Sequence, residues 1–396
     1  MKENTLRTIY GKLCLCSVFQ GVTQTRLCKA YEEYCRLDSQ ANYEKRKAYA
    51  AFVKEVYEGG GSLTALVQRL VFEDENVLVK TAAAKGETAE YIKKTAENEL
   101  SAFSLLGGLT RADFANDMQI PEIELPDFHS QYVDLNALYK TRLQSLDKYG
   151  YGIFSSRCMF RLSDEKRVEP IVSADKTGIA QFIGYEAERG KVVANTRAFV
   201  EGRPAANVLL CGDAGTGKSS TVKAIANDFF AEGVRLIELR KDQLRFLPLV
   251  MAKINGNPLK FIIFIDDLSF NQNNDDFSML KAALEGSASA TADNAVIYAT
   301  SNRRHIVKES FGDRDGDDVH RNDTLQETLS LSERFGLTVL FSKPDKKLYL
   351  TIVRELAKRH ALAIEEKELE LQAESFALKK GSRSARCAEQ FINSLL

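Results

Sequence analysis

Apolar residues recur along the first 150 or so positions at the three-to-four spacing of amphipathic helices. Between Cys28 and Tyr57, the residues Tyr31, Tyr34, Cys35, Ala48, Phe52, Val53 and Val56 keep that period among charged neighbours, which predicts a helix over the stretch. Gly59-Gly60-Gly61 breaks the pattern, and Ser62 is placed to cap the helix that follows. A further helix is predicted from Thr88 to Leu106, stopped by Gly107-Gly108. Pro121 and Pro126 frame an extended segment, and a helix from Asp134 to Tyr149 closes at Gly150. No motif with chemistry of its own occurs here. Residues 1–155 therefore read as a helical packing or partner-binding domain.

Near residue 160 the period changes. Phe160-Arg-Leu and Val168-Glu-Pro-Ile-Val have the pattern of short strands around Asp164-Glu-Lys-Arg, a small hairpin. Beyond 177, short apolar runs alternate with helical stretches: Asn207 to Cys211, Val234 to Leu239, Phe261 to Ile265, Ala295 to Thr300 and Leu337 to Phe341. Strands apolar on both faces, separated by helices, predict a parallel sheet covered on both sides over 156–342. After Pro344 the pattern is helical in three segments, about 344–361, 365–379 and 383–395, a small helical domain over 343–396.

Composition narrows the function classes. With 44% hydrophobic and 28% charged residues, extensive disorder is excluded. The 54 basic and 55 acidic residues leave a net charge of -1, so no global field draws the chain to nucleic acid or an anionic membrane. No apolar run approaches the roughly 20 residues that span a bilayer, and the N-terminus lacks the apolar core of a signal peptide. Seven cysteines, an odd number spread along the chain, read as reduced thiols of a cytoplasmic protein. Cys14, Cys16, Cys28 and Cys35 match no metal-binding spacing and are expected to be buried structural residues.

The segment Gly212-Asp213-Ala214-Gly215-Thr216-Gly217-Lys218-Ser219 satisfies the phosphate-loop pattern in full, between an apolar strand and a helix expected from Lys218 to Phe230. In that setting backbone N–H groups through Ser220, and the helix N-terminus, point at phosphate oxygens. Lys218 puts a cation on the terminal phosphates, and the Ser219 hydroxyl is a Mg²⁺ ligand. Phe261-Ile-Ile-Phe-Ile265 then ends in Asp266-Asp267, at the strand end where α/β folds bind ligands. Asp266 suits the metal side, and Asp267 suits a general base for an attacking water. Asn302, after the strand Ala295 to Thr300, is an amide placed to bond that water or the γ-phosphate. Arg334, just before the last strand, is the residue type that neutralises charge on a transferring phosphoryl group.

In this order these residues resemble the AAA+ ATPases. Phe182-Ile183-Gly184-Tyr185-Glu186 is similar to that family's adenine-packing segment, and Arg383-Ser-Ala-Arg386 to the lid arginine region, with Arg386 favoured by phase and Arg383 the alternative. The Asp-Asp ending departs from the commoner Asp-Glu and resembles the replication-initiator and helicase-loader branch. Its shorter carboxylate puts Asp267 in more doubt as base than Asp266 as metal-side acid. Closer still, Asn207-Val-Leu-Leu, Asp266-Asp267-Leu-Ser-Phe, Ala299-Thr-Ser-Asn-Arg-Arg-His305 and Leu331-Ser-Glu-Arg-Phe-Gly336 resemble a bacterial family known as domain of unknown function 815, from about residue 155 onward.

The resemblance implies an α/β P-loop ATPase domain with a C-terminal helical lid. It also implies ATP and Mg²⁺ as ligands, and a homo-oligomeric ring, six-membered in this family, that remodels a macromolecular client. Arg334 then completes a neighbour's site. Three rivals stay open: a nucleotide-dependent switch or scaffold with little turnover, a helicase-loader-like ATPase associated with nucleic acid, and a small-molecule kinase. The kinase has no use for Asn302, Arg334 and Arg386 together. Nucleic acid is disfavoured because basic pairs such as Lys379-Lys380 have acidic neighbours and no helix-turn-helix follows. Asp313 to Asp318 resembles a calcium loop, but its glycine is misplaced and Thr324 stands where Glu is needed. Phe246 and Phe270 fall where a polymer-gripping aromatic is expected, and each is equally placed as core.

Overall fold

The computed structural model describes residues 5–38, 42–268, 280, 284, 292–302 and 334–396. The chain divides into two compact units, Met1–Ser156 with Gly256–Pro258, and Arg157–Asn255 with Leu259–Leu396. Phe270, residues 303–305, 313–318, 324 and 331–333 lie outside the described residues.

The first unit is helical. Its longer helices are Thr5–Leu13, Arg26–Arg36, Asn42–Glu58, Leu63–Glu73, Glu90–Gly107 and Leu135–Leu143. Their apolar faces close on an aromatic centre in which the Phe114 ring lies 5.1, 5.0 and 5.3 Å from Tyr34, Tyr49 and Phe52. Ser62 caps its helix by accepting from the Ala65 N–H at 3.3 Å, and Asp134 accepts from Asn136 at 3.0 Å.

Three expectations need correction here. The stretch from Cys28 to Tyr57 is two helices, because Leu37 leaves the first with extended backbone and the second starts at Asn42. The apolar period continues on both arms, so periodicity alone conceals the turn. The helix expected from Asp134 to Tyr149 likewise breaks after Leu143 and resumes as Leu146–Tyr149. Of the four early cysteines, Cys28 and Cys35 are buried, Cys16 is half-buried and Cys14 is exposed.

The second unit is built on a seven-stranded sheet: β1 Met159–Leu162, β2 Val168–Pro170, β3 Val208–Gly212, β4 Val234–Leu239, β5 Lys260–Ile265, β6 Ala295–Ser301 and β7 Leu337–Phe341. The order is β2-β1-β4-β5-β6-β3-β7. β1 and β2 form the antiparallel hairpin, with Phe160 opposite Pro170; every other pairing is parallel. The sequence pattern does not show that β1 also extends the sheet by pairing Phe160 with Ile237 of β4. β3 and β4 are successive in the chain but separated by β5 and β6 in space. The order therefore reverses at β3, and the crevice beyond its C-terminal end is the switch point where such sheets bind ligands.

The helix Glu186–Val200 packs with the sheet core through Val192 and Phe199. The C-terminal helices Lys346–Arg359, Glu366–Lys380 and Ala385–Asn393 have a core of their own around Tyr349, Val353, Ala373 and Phe391. Asp345 caps the first by accepting from the Leu348 N–H at 2.7 Å, and Ser384 caps the third by accepting from Cys387 at 3.1 Å.

Candidate functional site

β3 delivers the loop Gly212–Gly217 into the crevice, and the helix Lys218–Asp228 leaves it. Two glycines explain why the loop follows its course. Gly212 has φ +134°, and a side chain there would begin 2.1 Å from the Phe341 carbonyl oxygen. Gly215, at φ +77°, faces Ser384 and Arg386, and a side chain there would begin 3.1 Å from Ser384 Oγ. Asp213 pins the start of the loop: its N–H donates to Phe341 O at 3.2 Å, and its carboxylate accepts from the Lys343 N–H at 2.7 Å. Thr216 is buried and its hydroxyl donates to Asp213 O at 2.9 Å. Ala214 is exposed at the loop's tip, and Ser220 is exposed on the first turn of the helix.

Lys218 is buried, and burial lowers its pKa from the ordinary lysine value. Its Nζ donates to Gly212 O at 3.0 Å, Asp213 O at 2.7 Å and Asn302 Oδ1 at 3.0 Å. The other end of the Asn302 amide donates to Asp267 Oδ1 at 2.8 Å, so one side chain links the loop lysine to the acid after β5. Ser219 Oγ donates to Asp266 Oδ1 at 2.6 Å, and Thr300 Oγ1 donates to the same oxygen at 2.6 Å. Thr300 in turn accepts from the Asp267 N–H at 2.9 Å, which orients that peptide. Asp267 sits at φ +52°, a conformation that Asp tolerates better than most residues, with its side chain in solvent. Its second oxygen lies 3.3 Å from Lys241 Nζ.

Beside the loop opens a cavity of about 700 Å³. Gly215, Gly217 and Ser220 form one side; Gln181, Phe182, Ile183 and Arg189 another; and Ile352, Leu356, Arg359, Arg386 and Glu389 the helical side. Its volume and its mix of apolar walls with a few polar groups suit a cofactor-sized ligand. Of the two candidate lid arginines, Arg386 is the one at the cavity, and its backbone N–H donates to Gly215 O at 3.3 Å. Arg383 is absent from the lining and spends its fork on Glu374, at 3.0 and 2.7 Å. Burial pushes the Glu389 carboxyl above its ordinary range, with Arg386 opposing.

The adenine-packing segment divides. Ile183 lines the cavity, Gly184 turns at φ +75°, and Tyr185 points away, donating to Ser342 O at 2.6 Å with its ring 5.4 Å from Phe341. Arg334 does not join the group. β7 and β3 are parallel, with Leu337 opposite Val208 and Phe341 opposite Gly212, so Arg334 precedes the strand at the edge opposite the phosphate loop. Phe246 is half-buried, beside Lys166 and Arg245. Phe182, the first residue of the adenine-packing segment, lines the cavity with Ile183; Thr300, Lys241, Arg189 and Arg359 belong to the site's surroundings and carry no sequence signal that sets them apart.

A sheet of this order, with a phosphate loop after β3 and paired acids after β5, defines the class: an α/β AAA+ fold preceded by a helical region. Within that class, residues 155–396 match the family described as "Protein of unknown function (DUF815)", and the chain belongs to it. No curated protein matches the sequence significantly. Among solved structures the chain is similar to the Thermotoga maritima RuvB Holliday junction branch migration motor, at 15% identity over 56% of this chain and 72% of that one, with a TM-score of 0.35. Two point mutants of that protein are similar at 16% identity, covering 55% and 56% of this chain and 73% and 72% of theirs, with TM-scores of 0.36 and 0.35.

Proposed function

We propose that the chain is an ATP hydrolase of the AAA+ class that works as a homo-oligomeric ring, a hexamer, to remodel a macromolecular client. The observation that carries this reading is the convergence, at one edge of the sheet, of Lys218, Ser219, Asp266, Asp267 and Asn302 through side-chain bonds of 2.6 to 3.0 Å. ATP fits the residues present, since Gly215, Gly217 and Ser220 of the phosphate loop and its helix border a cavity of about 700 Å³. Mg²⁺ fits the hard-oxygen pair of Ser219 and Asp266, and supplies charge neutralisation at phosphate oxygens when bound.

In this reading Lys218 exchanges its loop carbonyls for terminal phosphate oxygens. Asp267 holds the proton taken from an attacking water, and Asn302 orients that water. Arg386, at the cavity, is the lid arginine, and Arg383 is structural. Arg334, at the far edge of the sheet, serves a neighbour's site. The helical region 1–155 carries partner specificity, and the setting is cytoplasmic, with a protein client favoured over nucleic acid. Two contacts favour the switch reading for the resting protein: Asn302 Nδ2 donates to Asp267 Oδ1 at 2.8 Å, and Lys241 Nζ lies 3.3 Å from the other oxygen.

The test mixes two inactive variants, Lys218→Ala with a dead pocket and Arg334→Ala with a dead finger. Each alone should release phosphate from ATP at background rate, the second about 10³–10⁵-fold below the parent. Mixed rings should recover activity, because some interfaces pair a live pocket with a live finger. Silence from a mixture that co-assembles would remove Arg334 from a neighbour's site. A parent that binds ATP and releases no phosphate would favour the switch.

A further inference from the structure

Arg189 lies on the helix Glu186–Val200 and lines the cavity, and no role described so far uses it. It is 4% exposed. Its Nη1 donates to the Gly184 carbonyl, and its guanidinium stands 4.9 Å from the Phe182 ring centroid. Its Nε has no hydrogen-bond partner, and among the described residues no carboxylate lies within ion-pair distance. Glu186 and Glu188 act on it only at longer range, and burial holds its pKa below the ordinary arginine value. A guanidinium buried with a free donor and no counter-charge is strongly unfavourable unless something else completes it.

The position says what that partner is. On one side Arg189 is tied to the Phe182–Gly184 segment. On the other, a side chain at Gly217 would begin 4.0 Å from its Nη2. It stands where the Phe182–Ile183 wall of the cavity meets the phosphate loop, beside Gly217. Lys218 Nζ is committed to Gly212 O, Asp213 O and Asn302 Oδ1, and Arg386 stands beside Gly215, so Arg189 is the guanidinium beside Gly217. A planar fork suits two oxygens of one phosphate better than a point charge does.

We propose that Arg189 is an anion-recognising residue of this cavity and that it binds the innermost phosphate of a nucleotide, the one attached to the sugar. This rests on the nucleotide reading above. Its consequence is a pocket that holds nucleoside phosphates, the monophosphate included, and neglects free nucleosides.

Calorimetric titration of the full chain with ATP, GTP, ADP, AMP and adenosine tests it, using the parent, Arg189→Gln, Arg189→Lys and Lys218→Ala. Arg189→Gln should weaken ATP, ADP and AMP by a common factor of about 10- to 100-fold. Adenosine affinity and the preference between ATP and GTP should not move. The melting temperature of the nucleotide-free Gln variant should equal or exceed the parent's, because an uncompensated charge has been removed. Arg189→Lys, which keeps a charge but loses the fork, should fall between parent and Gln, and it carries the test if the Gln variant does not fold. An equal loss for adenosine, or a changed base preference, would overturn the proposal in favour of a base contact. A lower nucleotide-free melting temperature with intact affinity would make Arg189 structural. If the parent binds no nucleotide, the nucleotide reading itself fails. If the parent binds, Lys218→Ala does not, and Arg189→Gln binds as the parent does, only the role of Arg189 fails.

Discussion

In the helical unit, Glu99 is 5% exposed, and its two oxygens accept from the backbone N–H groups of Ser17, Val18 and Phe19 at 2.7 to 3.1 Å. Lys45, 2% exposed, pairs with Asp117 at 2.6 Å, and Tyr34 donates to the same carboxylate at 2.8 Å. In the crevice of the second unit the buried charges are held differently. Lys218 leans on the carbonyls of its own loop, and Arg189 keeps a donor free. Both regions bury charge at comparable depth. One completes its charges with carboxylates and backbone donors of the fold; in the other, Lys218 meets neutral acceptors and Arg189 keeps a donor unused. A buried charge is thus informative through what it lacks, and the two regions should respond to mutation in opposite ways.

The largest expected effect is on turnover in the crevice. Asp267→Asn should bind ATP as the parent does and release phosphate about 10²–10⁴-fold more slowly, measured in steady state. Its melting temperature should not change, because the side chain is exposed and Asn accepts a positive φ as readily as Asp. Turnover within twofold of the parent would remove Asp267 as the base.

Next comes stability in the helical unit. Lys45→Ala leaves Asp117 buried without its counter-charge, which should lower unfolding free energy by about 3–5 kcal/mol. Chemical denaturation followed by circular dichroism measures this, and nucleotide affinity should stay at the parent level. A loss of affinity as large as the loss of stability would erase the contrast between the regions.

The smallest effect separates the two arginines of the C-terminal helices. The Arg383 guanidinium beside Glu374 holds that carboxyl below the ordinary glutamate range. A depressed pKa gives stability that is fully present above the unfolded value of about 4.3 and is lost as pH falls through the folded one. Arg383→Met should therefore be slightly less stable than the parent at pH 7, with a gap that closes below about pH 4. Nucleotide affinity should be unchanged. A gap of constant size across that range would mean that Arg383 acts by packing and not by charge.

Much of this architecture is legible in the sequence, because the signals are local. β4 and β7 are short, mostly apolar runs whose expected limits agree with the structure, and the phosphate loop is a contiguous string of residue types. What fails is local in a different way. Leu37 and Gln144 interrupt helices whose apolar period continues on either side, so only the turn itself reveals the break. The site's remaining residues are hidden because tertiary neighbours define them. Arg189 is one of several charged residues on a helix of ordinary composition, and nothing in Glu186-Ala-Glu-Arg-Gly distinguishes a cavity wall from a solvated face. Thr300 is a strand residue until the register with β5, which sets Ala299 opposite Ile265, brings it to Asp266. Choosing between Arg383 and Arg386 needs Glu374, nine residues before the first of them and on another helix.

β7 ties two ends of the sheet together. At its far end the Phe341 carbonyl meets the backbone of Gly212 and Asp213, and the next two residues are anchored by Tyr185 and by the Asp213 carboxylate. At its near end stands Arg334. A strand bonded into a sheet neither stretches nor shortens, so it behaves as a push-rod of about 15 Å. In a ring of the proposed kind, a shift of the loop around its own ligand would reach Arg334 as a displacement of similar size. Each subunit would then report its own occupancy to the next along the backbone that runs from Phe341 back to Arg334.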